Sequence, residues 1–303
     1  MPPTRRSRSP ARAAAFVPSP AYRRSPRHGR VRPLSSRPAE PQSRQPDRGS
    51  ESSFIAPDGL RIAYRRWVGS DGRVPVVLHH GFAANALINW VFPGVVAALS
   101  AAGRWVWAPD ARGHGRSESP HDPDRYGEAV MTRDLIALFD EIGAAEVDLV
   151  GYSMGAIVAL LVAAQGRRVR RLVIGGVGAG VVELGGVDTR VVSSDAIIAA
   201  LGAPDAEAIT DERARAFRQL ADGLGADRQA LAAQASRRHA QPIALERILA
   251  PTLVLAGDTD PLATRPEVLA AAIPHARLQL LSGDHMGAIG DPRLAALIVE
   301  HLA

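Results

Sequence analysis

Short apolar runs alternate with helical stretches from about residue 53 onwards, and this alternation limits the folds open to the chain. Each run after the first ends in glycine or aspartate, and nearly continuous apolar runs are typical of strands buried on both faces. Strands that alternate with helices favour an α/β fold with a mostly parallel, doubly wound sheet. Two strands are predicted within 53–68, about the turn Asp58-Gly59, and expected at one edge. Further strands are predicted at 74–81, 104–110, 146–151, 169–178, 251–257 and 276–283, and helices at 87–102, 128–142, 154–166, 265–273 and 291–302.

Residues 180–248 interrupt this alternation after the sixth predicted strand. Their composition is helical, and the segment "TDERARAFRQLADGLGADRQALAAQASRRHA" holds Phe217 as its only aromatic residue. An all-helical insertion between two strands predicts a small cap over the C-terminal edge of the sheet, where open α/β sheets bind ligands. The arginine pair 237–238 is expected to lie on a solvated face of this cap.

Residues 1–50 differ from the rest in composition and charge. They hold ten prolines and 12 arginines against Glu40 and Asp47, a local net charge of +10, whereas the remaining 253 residues carry a net charge of −5. Such a segment predicts disorder. Its Arg/Ser-rich character resembles an organelle transit peptide, and binding to nucleic acid or anionic lipid is a further alternative.

Composition also limits the kinds of site and partner expected for the folded domain, which is predicted over residues 51–303. The chain has no cysteine, which excludes disulfides, thiolate metal sites and a cysteine nucleophile. Because the basicity belongs to the tail, no nucleic-acid partner is expected for the folded domain. No run reaches the roughly 18 apolar residues of a membrane span. Without an export signal, a cytoplasmic location is the default expectation. The oligomeric state cannot be read from the sequence.

The segment "EVDLVGYSMGAIVALLVAAQ" places Ser153 between a buried strand and a helix. A sharp turn at that junction lifts the serine hydroxyl above the sheet, and it requires small residues two positions either side. Gly151 and Gly155 meet this requirement, so the segment has the G-x-S-x-G pattern of a nucleophile elbow. The alternative is a structural serine at a helix N-cap.

A serine hydroxyl needs a base, and the base needs a group that orients it. Among nine histidines, His285 follows the last predicted strand in a loop that would reach the edge near Ser153. The loop after the preceding strand offers Asp258 and Asp260. Asp260 lies further from the strand end and is the better candidate, whereas Asp258 is expected to accept hydrogen bonds from its own turn. Asp284 is expected to point away from the site.

The oxyanion of a tetrahedral intermediate needs preorganised donors. The backbone N–H of Met154, directly after the nucleophile, is one candidate, and the N–H of Phe82, after the strand "VPVVLHHG", is the other. The side chains of Phe82, Met154, Leu262 and Met286 flank the predicted catalytic loops. They are candidates for an apolar substrate pocket, with plain core packing as the alternative.

The motifs "LHHGF", "PDARGHGRS", "GYSMG", "LAGDTDPL" and "SGDHM" together resemble the α/β-hydrolase superfamily over about residues 52–303. The resemblance implies a catalytic triad in the order nucleophile, acid, histidine. It also implies that Asp110, Arg112 and His114 organise the backbone of a structural loop. The segment "SGDHM" departs from the family pattern, because relatives commonly have glycine in the position of Asp284.

The sequence therefore predicts a serine hydrolase that cleaves a carboxylic ester or related small acyl substrate, with catalytic residues Ser153, Asp260 and His285 and no cofactor or metal. Hydrolysis of a C–C bond in a diketone, lactone opening and acyl transfer would use the same triad. A serine nucleophile argues against haloalkane dehalogenases and typical epoxide hydrolases, whose nucleophile in this superfamily is aspartate. Outside enzymes, the alternative is a ligand-binding protein on the same fold.

Overall fold

Eight strands form a single sheet at the centre of the protein, in the order β1-β2-β4-β3-β5-β6-β7-β8. The structure is a computed structural model that describes residues 46–70, 72–166 and 168–303. The strands are β1 (Ser50–Ile55), β2 (Arg61–Trp67), β3 (Val76–His79), β4 (Val106–Pro109), β5 (Val147–Tyr152), β6 (Val169–Gly175), β7 (Thr252–Gly257) and β8 (Ala276–Leu281). The β1/β2 and β2/β4 pairs are antiparallel, and the other pairs are parallel. The predicted fold class and all eight predicted strands are confirmed.

Helices cover both faces of the sheet, which explains why the central strands are mostly apolar. Every residue of β3, β5 and β7 is buried. On one face the sheet packs against α2 (Glu128–Glu141), α3 (Met154–Gln165) and α8 (Pro266–Ala272), and on the other against α1 (Val95–Ala101) and α9 (Arg293–Leu302). Alternate residues of a strand serve opposite faces, because Val77 packs with the first group of helices and Val76 with the second.

One local prediction about this framework is wrong. The continuous helix predicted at 87–102 is a π-helical turn, Leu87–Val91, followed by α1. Pro93 cannot donate a helical hydrogen bond, and Gly94 adopts a left-handed conformation with φ of 83°, so the chain turns there.

Four helices lie between β6 and β7. They are α4 (Ala179–Leu184), α5 (Ser194–Gly202), α6 (Glu212–Gly223) and α7 (Arg228–Ala235). The side chains of Ser193, Asp211 and Asp227 cap the N-termini of α5, α6 and α7, so each helix start is encoded locally. The last three helices share an apolar cluster that includes Ala83 and Leu262 from loops of the sheet. The cluster therefore joins these helices to the loops that carry the predicted site.

The predicted basic tail lies almost entirely outside the described residues, which begin at residue 46. Ser50, the last residue of that segment, is the first residue of β1, and the indole N–H of Trp67 donates to the carbonyl of Asp47 at 3.2 Å. Within the described ranges, no helix has the length and apolar character needed to cross a membrane.

Candidate active site

Ser153 occupies a strained turn between the end of β5 and the start of α3. Its φ of 53° and ψ of −116° lie in a region that non-glycine residues rarely adopt, and such strain is concentrated at functional sites. A Cβ added to Gly151 would lie 2.2 Å from the carbonyl oxygen of Gly155. One added to Gly155 would lie 2.2 Å from the carbonyl oxygen of His79. Neither position tolerates a side chain, and the strand and helix approach as closely as the motif requires.

Asp260 and His285 are brought together from the loops after β7 and β8. Asp260 Oδ2 lies 2.8 Å from His285 Nδ1, while Asp260 Oδ1 accepts a hydrogen bond from the N–H of Leu262 at 2.8 Å. The Asp260 side chain is fully buried and that of His285 is 15% exposed. Because Nδ1 is held by a carboxylate, the imidazole Nε2 is the nitrogen left to face a reactant.

The two other acidic residues of these loops have structural contacts. Asp258 Oδ1 accepts from the N–H of Gly283 at 2.8 Å, so it joins the β7 and β8 loops and does not serve its own turn as predicted. Asp284 Oδ1 accepts from the N–H groups of Met286 and Gly287 at 3.2 and 2.8 Å, so it points back into its own loop.

Ser153 and His285 line neighbouring cavities at the C-terminal edge of the sheet. Tyr152, adjacent to Ser153, donates its hydroxyl to the carbonyl of His285 at 2.6 Å, and the two rings lie 5.2 Å apart. Gly176 leaves room there, since a Cβ at this position would lie 2.8 Å from His285 Cε1. Among the described residues, the structure has no hydrogen bond between the Ser153 hydroxyl and His285.

The backbone N–H groups of Phe82 and Met154 flank this turn. Met154 is the first residue of α3, and no side chain caps that helix end, so its N–H is free of the helical hydrogen bonds. The N–H groups on either side of Phe82 donate to Asn89 Oδ1 and His114 Nε2, at 2.9 and 3.1 Å. Within the described part of the chain, Phe82 N–H has no such protein acceptor.

Two buried histidines hold the loop that carries Phe82. His80 Nε2 accepts from the N–H of Ala111 at 2.9 Å, and His114 Nε2 accepts from the N–H of Ala83. Each ring therefore carries its proton on Nδ1, where it meets a backbone carbonyl. Burial lowers the pKa of His114 to about 4 and that of His80 well below its ordinary value, so both rings are neutral. They are supports for the backbone.

The segment 110–117 is structural, as the motif implies. Asp110 accepts from the N–H groups of Ala86 and Arg116 at 2.9 and 3.0 Å. The Arg112 guanidinium bonds to both carboxylate oxygens of Asp134, at 2.6 and 2.7 Å, and to Asp58. The Arg112 ion pair also holds the pKa of Asp58 down at about 2.

Two cavities adjoin the site. The first, of about 20 Å³, is lined by Ser153 and by three of the four predicted pocket residues, Phe82, Met154 and Leu262. The second, of about 250 Å³, is lined by His285, Leu262 and the fourth, Met286. Val192, Phe217 and Leu262 line both cavities and form the wall between them.

Known proteins with the same fold were found by sequence and by structure. A family model described as the alpha/beta hydrolase fold matches residues 74–177. Epoxide hydrolase A of Mycobacterium tuberculosis is 39% identical over 105 residues, which are 35% of this chain and 31% of that protein. A hydrolase from Pseudomonas aeruginosa is 26% identical with a TM-score of 0.69, over 84% of this chain and 99% of its own. The chain has the α/β-hydrolase fold.

An esterase from Rhodococcus sp. is also similar to this chain, with 25% identity and a TM-score of 0.62 over 84% of the chain and 98% of the esterase. The chain matches only about a third of the length of its curated relatives. The similarities therefore establish the fold of the chain.

Three polar residues that border the Ser153 cavity were not predicted as site residues: Glu128, Gln234 and Arg238. The expectation that Arg238 is solvated is wrong, because it is partly buried and donates to the carbonyl of Val192 at 3.2 Å, whereas Arg237 is exposed. No local pattern indicated them, because α7 ends at Ala235, before Arg238, and Glu128 lies on a different helix.

Glu128, the first residue of α2, is buried and joins that helix to the chain after α7. Its Oε2 accepts from the N–H of His239 at 2.7 Å. Burial raises the pKa of Glu128 to about 7, and the Arg238 charge opposes this increase only in part. The carboxyl group is therefore partly protonated at neutral pH.

Proposed function

We propose that this α/β hydrolase is a serine hydrolase that cleaves a carboxylic ester through an acyl-enzyme on Ser153. The observation that carries the proposal is the 2.8 Å contact between Asp260 Oδ2 and His285 Nδ1. It orients the imidazole at the same sheet edge as the strained turn of Ser153, and a buried carboxylate stabilises the imidazolium that forms during acyl transfer.

The proposed reaction has two halves. The Ser153 hydroxyl attacks the ester carbonyl and gives its proton to His285 Nε2, and the oxyanion accepts hydrogen bonds from the N–H groups of Phe82 and Met154. The C–O bond breaks as His285 returns the proton to the leaving alcohol. Water then attacks the acyl-enzyme carbonyl while His285 Nε2 takes its proton. The bond to the Ser153 oxygen breaks as His285 returns that proton to it, and the acid is released.

A serine at the elbow favours carbonyl chemistry over the epoxide opening named for the Mycobacterium tuberculosis relative. A carboxylate that opens an epoxide forms an ester, which water can hydrolyse. A serine hydroxyl that opens one would form an ether, which the same base and donors cannot cleave. Attack on an ester gives an acyl-enzyme that turns over. The similarity to the Rhodococcus esterase over most of the chain supports the same choice.

The proposal is tested by labelling with a fluorophosphonate probe and by turnover of 4-nitrophenyl esters from acetate to octanoate. We expect the native protein to label and to turn over at least one ester. Ser153→Ala should abolish labelling and lower kcat by about 10³-fold or more. Ser236→Ala is the matched control, because Ser236 is an exposed serine whose hydroxyl donates to the carbonyl of Ala233.

Labelling that persists in Ser153→Ala would show that another residue reacts. A native protein that neither labels nor hydrolyses any ester would instead support a ligand-binding role for the same site. Lactone opening and C–C bond hydrolysis would use the same three residues. Turnover of a lactone or a diketone in place of the ester distinguishes these reactions from ester hydrolysis.

A further inference from the structure

The cavity beside Ser153 has a polar side as well as an apolar one. Phe82, Met154 and Leu262 contribute apolar atoms, whereas Glu128, Gln234 and Arg238 contribute polar side chains from α2, α7 and the chain that follows α7. An apolar cleft with a few convergent polar groups is the usual form of a small-molecule site.

Gln234 presents a hydrogen-bond donor that lacks a partner. Its Oε1 accepts from the N–H of Gly127 at 2.9 Å, which fixes the orientation of the amide. The residue is 1% exposed, and within the described part of the chain its Nε2 has no hydrogen-bond acceptor. A buried donor without a partner is unfavourable because it has lost its hydrogen bonds to water, so an acceptor oxygen brought by a ligand would remove that cost.

Arg238 adds donors of the same kind. Its Nη1 donates to the carbonyl of Val192 at 3.2 Å. Among the residues that the structure describes, no carboxylate oxygen lies within 4 Å of its guanidinium. Arg237, its neighbour, is by contrast paired with Asp124 at the surface. The guanidinium can therefore donate to a second acceptor on the cavity side.

Glu128 does not cancel these donors. Its Oε2 is already occupied by the N–H of His239, and burial keeps the carboxyl group partly protonated near pH 7. Arg238 is the charged group that faces it, and the His239 ring, whose pKa burial lowers, adds no positive charge at that pH. Donors therefore outnumber acceptors in the cavity, and an oxygen that accepts hydrogen bonds is the complementary ligand group.

The chemistry of the reaction decides which part of the substrate meets these donors. In the proposed mechanism the acyl group becomes bonded to Ser153, and the leaving alcohol receives its proton from His285. Ser153 lines the cavity of about 20 Å³, and His285 lines the cavity of about 250 Å³ with Phe217, Leu220 and Met286. The short polar side therefore suits the acyl group, and the larger apolar side suits the alcohol.

From this arrangement, and resting on the proposed serine-ester chemistry, we infer that Gln234 and Arg238 bind an acceptor oxygen on a short acyl group. An ether, keto, hydroxyl or carboxylate oxygen near the scissile carbonyl would serve. The substrate class is accordingly an ester of a short oxygenated acid with a larger apolar alcohol.

The test compares two acyl groups of the same size. 4-Nitrophenyl methoxyacetate and 4-nitrophenyl butanoate differ by exchange of one CH₂ for an ether oxygen, and the ratio of their kcat/KM values is measured for each protein. Their different intrinsic reactivity cancels when the ratio of a variant is divided by that of the native enzyme. Arg238→Met and Gln234→Glu should each lower this ratio about fivefold or more, because each removes a donor to the ether oxygen. The Glu variant keeps the acceptor for the N–H of Gly127 and removes the donor.

Arg237→Met is the matched control and should leave the ratio unchanged, because Arg237 lies outside the cavity. A mono-4-nitrophenyl ester of a short dicarboxylic acid, with its rate corrected for spontaneous hydrolysis, tests for an anionic acceptor. If the acceptor is anionic, Arg238→Met should lose more kcat/KM for this ester than for the methoxyacetate. Fluorophosphonate labelling reports that each variant is folded. If labelling and turnover persist while the ratio stays within twofold in both variants, the subsite is disproved and the esterase proposal stands. If the native protein does not label, the failure lies in the proposed function.

Discussion

The sheet edge and the cap helices α4–α7 border the same cavities but are positioned by different means. At the edge the backbone decides, since Ser153 and Ala83 have φ values of 53° and 58°, and Gly151 and Gly155 permit no side chain. The cap is held by packing of small buried side chains such as Ala214 and Ala221, and by capped helix starts. For the proposed reaction we therefore expect reactivity to depend on local geometry at the edge, and specificity to depend on which side chains the cap brings to it.

The largest expected effect tests whether the edge is as sensitive as this comparison implies. Asp260→Asn keeps an acceptor for the N–H of Leu262 but replaces the carboxylate that faces His285 Nδ1. We expect kcat for 4-nitrophenyl esters to fall by about 10⁴-fold with KM little changed, because the imidazole loses its orientation and the stabilisation of its charge.

Asp258→Asn is the control for this change, since it lies in the same loop and bonds only to the backbone N–H of Gly283. Its kcat should stay within about threefold of the native value. Equal losses in the two variants would mean that the loop responds to any change of charge, and the pairing of Asp260 with His285 would lose its special role.

The second prediction contrasts a glycine of the edge with one of the cap. Gly155→Ala places a Cβ 2.2 Å from the carbonyl oxygen of His79, against backbone that cannot move aside. We expect urea unfolding to show that the free energy of unfolding falls by about 4 kcal/mol or more. Gly223 lies at the end of α6 with open space around it, so Gly223→Ala should instead raise the free energy of unfolding by about 0.5 kcal/mol. Similar results at both positions would contradict the contrast.

The sequence predicts the sheet edge more fully than the cap, because the edge is determined by local backbone geometry and the cap by packing between distant segments. The elbow at Ser153 is indicated within five residues by the glycines that the turn requires. Asp260 and His285 follow β7 and β8, and the composition of each of these strands is enough to predict it. The break at Pro93-Gly94 also had a local signal, which the helical spacing of 87–102 obscured.

The polar side of the Ser153 cavity had no such signal. Glu128 meets the N–H of His239, and Gly127 meets Gln234, across separations of 111 and 107 residues. Nothing within the window of a helix or strand indicates that these side chains become neighbours. Their burial depends on how α7 packs against the sheet domain, and that is a property of the whole fold.

The third prediction probes the contact between the cap and the sheet domain through pH. The Glu128 carboxyl has a pKa of about 7 in the folded protein, above its ordinary 4.5. Between those values the folded state holds a proton that the unfolded state has released, so rising pH destabilises the native protein. Glu128→Gln removes this dependence and keeps an acceptor for the N–H of His239.

The measurement is urea unfolding of both proteins at pH 5 and at pH 8. The free energy of unfolding of Glu128→Gln minus that of the native protein should be about 2–3 kcal/mol larger at pH 8 than at pH 5. Glu141→Gln, an exposed acid at the other end of α2, should show no such change between the two pH values. A difference that is flat with pH for Glu128→Gln would show that this carboxyl is ionised normally.

The smallest expected effect tests whether the cap governs binding without governing reactivity. Phe217 packs edge-on against Phe82, with ring centroids 5.7 Å apart, and lines both cavities. Phe217→Ala should raise KM about tenfold for esters of a large apolar alcohol and leave kcat within about twofold, because contact area is lost while the groups that bond to the reacting atoms stay in place. Phe92→Ala, an exposed phenylalanine outside these cavities, should change neither value. A loss confined to kcat in Phe217→Ala would instead mean that the cap positions the loop of Phe82, and the division between reactive edge and selective cap would fail.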